Sequence, residues 1–228
     1  MRYTTFLLDL DHTLFDSDAS EATAFSQTMA AAGVAEPQRY SGAYRKINLE
    51  LWAAVERGEI TPQHVRTQRF ERLVAEYDID ADPQQMAAEF VAGLGAHGDL
   101  YEGALEVIKR LSKQASLALV TNGLSEVQRA RIERLGIVDY FDAIVISAEV
   151  GVAKPGTAIF DIVFDALGLP AKQSALMVGD NLTSDIQGGA NYGIATCWYN
   201  PNRQVARDAR QVVHEISHLS ELGRFVSG

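Results

Sequence analysis

The sequence has a single cysteine, Cys197, so no disulfide can form within the chain. Beside Trp198, in an apolar run, that thiol reads as a buried strand residue. No stretch approaches the ~18 consecutive apolar residues of a membrane-spanning helix. The first apolar run is preceded by Arg2 and carries Asp9 and Asp11, so it does not read as a secretory signal. These absences point to a reducing, cytoplasmic setting with no membrane association. Positive charge is also scarce: 20 Lys plus Arg stand against 30 Asp plus Glu, for a net charge of -10. Such a chain repels a polyanion, which excludes nucleic acid as an expected partner. Nothing implies a protein partner. A small phosphorylated metabolite survives the exclusion, because one metal ion and one lysine can reverse the field locally.

What remains is an ordinary soluble composition, 47% hydrophobic and 22% charged over 228 residues. That length suits one domain, or one core domain carrying a smaller insertion. From about residue 100 onward, short apolar runs alternate with helical patterns, the signature of β-α-β units and a parallel sheet. The expected strands are Leu117 to Thr121, Ala143 to Ser147, Ala175 to Gly179 and Ile194 to Trp198, with Tyr3 to Leu10 joining the same sheet. Ser125 with Gln128 three residues on reads as a capping box, opening a helix that stops at Gly136. Further helices follow Pro155, closing at Gly168, and run from about Ser184 to Tyr192.

Residues 18–94 differ, since four helical stretches follow one another without a convincing strand. Tyr40, Tyr44, Ile47, Leu51 and Val55 mark one helical stripe, and Thr61-Pro62 opens the next helix. The expected fold is α/β, a Rossmann-like parallel sheet core of residues 1–17 and 95–228 with a helical bundle, residues 18–94, inserted after the first strand.

Asp9 and Asp11 stand at the carboxyl end of the first strand, where open parallel sheets bind their ligands. Alternation along extended backbone puts residues i and i+2 on one side, so both carboxylates can converge on one site. Three other elements fall at strand ends: Thr121-Asn122-Gly123, Lys154-Pro155, and Gly179-Asp180 with Asp185. Taken singly, these are strand caps, solvated side chains and turn residues. Nothing in packing requires a hydroxyl, an ammonium and four carboxylates at one edge of a sheet.

In order and spacing, these motifs resemble the phosphatases of the haloacid dehalogenase superfamily, which share D-x-D-x-T, a strand-terminal Thr or Ser, a Lys and G-D-x-x-x-x-D. The resemblance spans residues 9 to 185 and includes Ser147 to Pro155 around the lysine. It implies that Asp9 is the nucleophile of an aspartyl-phosphate mechanism and Asp11 the general acid and base. It implies Mg²⁺ bound by Asp9, the Asp11 backbone carbonyl and Asp180, with Asp185 behind them. Lys154, Thr121 and the Asn122 amide would take the phosphoryl oxygens, and Thr13 would brace the loop. His12 departs from the commoner fillers of its slot and is expected to line the entrance.

The insertion occupies the place of a helical cap, which in this superfamily excludes water and reads the leaving group. The segment from Tyr44 to Trp52, with Glu56, Gly58, Ile60-Thr61 and Arg69-Phe70, resembles caps of pyrimidine 5'-nucleotidases and of N-acylneuraminate-9-phosphatases. Trp52 or Tyr44 could stack on a base and Asn48 could read its edge, although the Ile47 and Leu51 stripe also explains Tyr44 by packing. The expected substrate is a small phosphate monoester, a nucleoside 5'-monophosphate, with sugar phosphates such as N-acylneuraminate-9-phosphate or phosphoglycolate as the alternative.

Other chemistries fit less well. A dehalogenase needs no Asp11, and the insertion's lysine, Lys46, lacks the setting of a Schiff-base residue. A sugar-phosphate mutase differs only in how the cap admits water, and an inactive partner module does not need the intact set. His214-Glu215-Ile216-Ser217-His218 matches the zinc peptidase pattern H-E-x-x-H, but that pattern works on a helix, and this segment reads as a short strand followed by a turn.

Overall fold

The computed structural model describes residues 2–206 and 210–226. Six parallel strands form one sheet: β1 (Thr5–Leu8), β2 (Ser116–Thr121), β3 (Ala143–Ile146), β4 (Ala175–Gly179), β5 (Ala195–Tyr199) and β6 (His214–Ile216). Their spatial order is β3-β2-β1-β4-β5-β6. The chain winds outward from β1 to β3, then returns to the other side of β1 for β4. The switch between β1 and β4 opens a crevice beyond their carboxyl ends, the usual ligand position in such sheets.

Every residue of β1 is buried, which is why the run reads as continuously apolar. Phe6 and Leu8 face one layer with Leu117, Leu119, Leu176 and Val178, while Leu7 faces the other with Val120 and Met177. The ordered strand is shorter than the Tyr3 to Leu10 run, because its pairing with β2 and β4 ends at Leu8. The remaining residues reach toward the site. Ser147 does not end β3 as expected but opens a one-turn helix.

Between β1 and β2 run α1 (Ser17–Ala31), α2 (Ser41–Glu56), α3 (Pro62–Tyr77) and α4 (Pro83–Ala96). The Asp16 carboxylate accepts from Ala19 N at 3.0 Å and Asp82 from Gln84 N at 2.9 Å, satisfying helix-start amides. Pro62 and Pro83 open α3 and α4, where a missing N–H costs nothing. On the core, α5 (Ala104–Leu111) and α6 (Ser125–Arg134) pack on the Phe6 face. The turn α7 (Ser147–Val150) follows β3, and α8 (Ala158–Ala166) with α9 (Gln187–Tyr192) covers the Leu7 face. A π-helical turn, Leu182–Ile186, leads directly into α9. Among the described residues, no helix is long and apolar enough to cross a membrane.

The expected capping box at Ser125 is not formed. Leu124 holds the cap position without a side-chain bond, and Gln128 turns inward, 1% exposed, toward the end of β1.

Helices α1 to α4 share a core of their own, joined by Val127 of α6 and by Leu124 just before it. Tyr44 lies at its centre, with ring centroids 4.6 Å from Phe25, 5.9 Å from Phe70 and 5.4 Å from Phe90. The two connections to the sheet run side by side. Phe15 bridges Leu100 in antiparallel fashion, Asp16 N donates to Asp99 O at 3.0 Å, and Tyr101 N donates to Leu14 O at 2.9 Å.

Phe90 is wholly buried among Tyr44, Phe70 and Arg69. Phe90→Ala should lower the unfolding free energy by about 3–5 kcal/mol, read from a urea titration followed by circular dichroism.

Candidate active site

Four segments meet at the crevice. Asp9 N still donates to Val178 O at 3.0 Å, extending the pairing of β1 with β4 one residue beyond the strand. At that point the Asp9 carboxylate meets Lys154, whose ammonium donates to Asp9 Oδ1, Asp185 Oδ1 and the Val120 carbonyl, each at 2.6 Å. All three ammonium protons are used, and the side chain is 1% exposed. Burial alone would lower the Lys154 pKa, but Asp185 and Asp9 hold it above the ordinary lysine value. The Asn122 side chain fixes the lysine's own peptide, accepting from Lys154 N at 3.0 Å and donating to Lys154 O at 2.9 Å.

Asp185 is also 1% exposed, and its second oxygen accepts from Asn181 N at 3.0 Å. It packs flat against Gly179, where an added Cβ would stand 2.1 Å from the carboxylate oxygen. Only glycine lets β4 end there. Thr13 braces the loop as expected: its hydroxyl lies 3.3 Å from both Asp9 Oδ2 and Asp180 Oδ1, and it accepts from Asp180 N at 3.0 Å.

Asp9, Asp180 and Asp185 each present an oxygen within 4.8 Å of the others, the one such group of potential metal ligands among the described residues. Burial, then the Asp185 charge, pushes the Asp180 carboxyl up to about 7 against the pull of Lys154 and Thr13. Asp9 is raised well above the usual carboxylate range, by burial first and then by Asp185, with Lys154 opposing. One ammonium does not neutralise three carboxylates, so the donor set fits a divalent cation of the oxygen-seeking kind. The Asp11 side chain lies outside this group; any contribution it makes there is through its backbone.

The Asp11 carboxylate instead points toward α6 and α1. Oδ1 accepts from Arg131 Nη1 at 2.6 Å and from the Ser17 hydroxyl, and Oδ2 accepts from Gln128 Nε2 at 2.6 Å. Burial favours its neutral form, but Arg131, Ser17 and Gln128 together keep its pKa below the ordinary value. Gln128 Nε2 also donates to Thr121 Oγ1 at 2.7 Å, behind the floor of the site.

A cavity of about 360 Å³ runs from these groups to the helical layer. His12, Asn48 and Trp52 line it, as do Glu21, Leu49, Glu56 and Arg69. His12 adopts a left-handed backbone, φ 61°, which turns the loop sharply after Asp11. Asn48 Nδ2 donates to Glu21 Oε2 at 3.1 Å, while its Oδ1 is buried without a partner. Glu56 ties α2 to the core, accepting from Thr183 Oγ1 at 2.8 Å and Asn181 Nδ2 at 3.3 Å.

Tyr44 is corrected from base-stacking candidate to packing residue. It is 2% exposed, does not line the cavity, and its hydroxyl accepts from Arg69 Nη1 at 3.1 Å. Lys46 is exposed on α2 and lines no part of the cavity. The H-E-x-x-H segment forms β6 and the turn after it, so its histidines lack a shared helix face. His214 Nε2 bonds the Tyr3 hydroxyl at 2.9 Å, and Glu215 accepts from Asn200 at 2.7 Å. Cys197 is buried in β5, which pushes its thiol up to about 12.

Sequence reasoning missed Arg131 and Glu21 as residues of the site, and named Glu56 and Arg69 only as part of the cap resemblance without a place in the cavity. Their signal is faint: a charged residue on a helix reads as a solvated face, and only tertiary packing turns it inward.

Residues 6–199 match the sequence model of the family described as haloacid dehalogenase-like hydrolase. The chain is 34% identical to the pyrimidine 5'-nucleotidase PynA of Streptococcus pneumoniae, over 97% of this chain and 94% of that protein. It is 33% identical to the pyrimidine 5'-nucleotidase YjjG of Escherichia coli, over 97% of each. The magnesium-bound HAD-hydrolase YfnB of Bacillus subtilis superposes with a TM-score of 0.90 at 33% identity, covering 98% of both chains. Family model, near full-length relatives and fold agree, and the chain belongs to the haloacid dehalogenase-like hydrolase family.

Proposed function

We propose that this protein is a divalent-metal-dependent phosphatase that hydrolyses pyrimidine nucleoside 5'-monophosphates through an aspartyl-phosphate on Asp9. The observation that carries this reading is Asp9 at the switch-point crevice, 2.6 Å from a buried lysine, at the floor of a cavity that continues into a helical lid. Residues 18–94 form that lid, and residues 1–17 with 95–228 the catalytic core.

Asp9 attacks phosphorus, and the bond to the leaving oxygen breaks as that oxygen takes a proton from Asp11, which its hydrogen-bond donors hold ionised in the free protein and which gains that proton as the negatively charged phosphate binds beside it. Water then attacks the phosphoryl group with Asp11 accepting its proton, and phosphate leaves while Asp9 is restored. Lys154, its three protons already placed, neutralises the phosphoryl charge through space while the Asn122 backbone amide hydrogen-bonds those oxygens; Thr121, expected among the phosphate ligands, instead lies outside the cavity lining and supports that floor from behind. Asp9, Asp180 and the Asp11 backbone carbonyl would hold Mg²⁺, with Asp185 behind them holding Lys154 and the Asn181 loop. Bound there, the ion supplies charge neutralisation for the phosphoryl oxygens and the nucleophile.

The relatives named as pyrimidine 5'-nucleotidases support the nucleotide assignment. So do Trp52 and Leu49, which offer an apolar wall, and Asn48, Glu21 and Arg69, which offer a polar edge, in a cavity of nucleotide size. The magnesium-bound YfnB structure, which reveals interdomain movement, supports both the ion and the lid.

Asp9→Asn should fold with an unchanged circular dichroism spectrum and lose turnover by roughly 10⁴ or more. In a panel of phosphate monoesters, UMP, dUMP and dTMP should exceed sugar phosphates in kcat/KM by about tenfold or more; the reverse order overturns the nucleotide assignment.

The metal leaves a pH signature. A carboxyl whose folded pKa is raised favours the protonated folded state, so the ion-free protein loses stability as pH rises from about 4 through the Asp180 value of about 7. A cation restores it only after displacing that proton. The gain in Tm at fixed Mg²⁺ over chelator should therefore grow between about pH 5 and pH 8; a gain independent of pH contradicts the assignment of Asp180 as ligand.

A further inference from the structure

Arg131 sits on α6 with its side chain 5% exposed, a costly place for a guanidinium unless its donors are used. They are used in three directions. Nε donates to the Leu94 carbonyl at 2.9 Å, Nη2 to the Ser20 hydroxyl at 3.2 Å, and Nη1 to Asp11 Oδ1 at 2.6 Å. Leu94 lies in the last turn of α4 and Ser20 in the first turn of α1, the two ends by which the lid joins the sheet. Ser20 Oγ also donates to Leu94 O at 3.2 Å, so both ends and the arginine form one knot. The guanidinium lies 4.5 Å from the Phe15 ring centroid, and Phe15 belongs to the outgoing connection.

Anchoring the lid would need only the Leu94 and Ser20 bonds. The short contact to Asp11 is additional, and with Ser17 and Gln128 it fixes both carboxylate oxygens. A proton-transferring carboxylate must be held within hydrogen-bond reach of the leaving oxygen, and a planar guanidinium pinned through Nε by Leu94 and through Nη2 by Ser20 presents Nη1 to Asp11 from a fixed position, as a flexible ammonium would not. We infer that Arg131 is a positioning residue for proton transfer, seating the Asp11 carboxylate and referring that seat to the Ser20 and Leu94 ends of the lid. The inference rests on the reading of Asp11 as general acid and base.

The test compares kcat/KM, which reports steps through cleavage of the bond to the leaving oxygen, for two leaving groups. One substrate is the fastest alkyl monoester of the panel above, whose alkoxide needs a proton; the other is 4-nitrophenyl phosphate, whose phenolate does not. Arg131→Met should lower the alkyl value by about 10² and the 4-nitrophenyl value by about threefold or less. In an Asp11→Asn background the same change should add no more than about twofold on the alkyl substrate.

Equal losses on both substrates, no loss on either, or a full additional loss in the Asp11→Asn background would overturn the inference. Should Arg131→Met fail to fold by circular dichroism, Arg131→Lys, which keeps the charge but loses the Nε and Nη2 donors that pin the group to Leu94 and Ser20, supplies the same comparison. If Asp11→Asn itself shows no leaving-group dependence, the acid-base reading falls. If it does and the Arg131 variants do not, only the positioning role falls.

Discussion

The site depends on one buried ammonium. Lys154 gathers the ends of three neighbouring strands, touching Asp9 past β1, the Val120 carbonyl of β2, and Asp185 in the turn after β4. Desolvating a lysine and two carboxylates is expensive, and only close, fully bonded geometry offsets it. That geometry is complete here, since each ammonium proton has an acceptor and Asn122 secures the lysine's own peptide on both sides. The arrangement still leaves negative charge in excess around Asp9 and Asp180, which is the electrostatic reason the crevice suits a cation and, with it, a phosphate.

Much of this was legible because it lies at strand ends. A parallel strand buried on both faces announces itself as an apolar run, and the residues just beyond it cannot be there for packing. Asp9, Thr121 and Asp180 were readable from that logic, whereas Lys154, which stands beyond the turn α7 that follows β3, and Thr13 were readable from their places in the motifs. Helix positions were harder. Gln128 looked like the second half of a capping box, yet its amide spans Asp11 and Thr121. Tyr44 could stack on a ligand, although its place on the Ile47 and Leu51 stripe pointed to packing, and ring contacts on three sides chose packing. Periodicity tells which face of a helix is covered, not what covers it; Arg131 and Arg69, charged and buried, defeat the rule from the other side.

The two layers divide the work. The sheet edge holds groups whose chemistry is indifferent to what the phosphate is attached to, while α1, α2 and α3 present Glu21, Asn48, Trp52 and Arg69 across the same cavity. Glu56 crosses the boundary by bonding Asn181 and Thr183 beside Asp180. The helical layer therefore rests on the loop that carries Asp180, and the two layers share structure as well as space.

The paired connections at Phe15 and Leu100 have a kinematic consequence. A body tethered by two chain segments bonded side by side cannot slide or twist freely over its base; the freedom left to it is chiefly rotation about a single axis through the bridge. Ser17 and Ser20 in the first turn of α1 and Leu94 in the last turn of α4 adjoin that bridge, where a rotation about it would displace them least. The groups that hold Asp11 sit at the pivot.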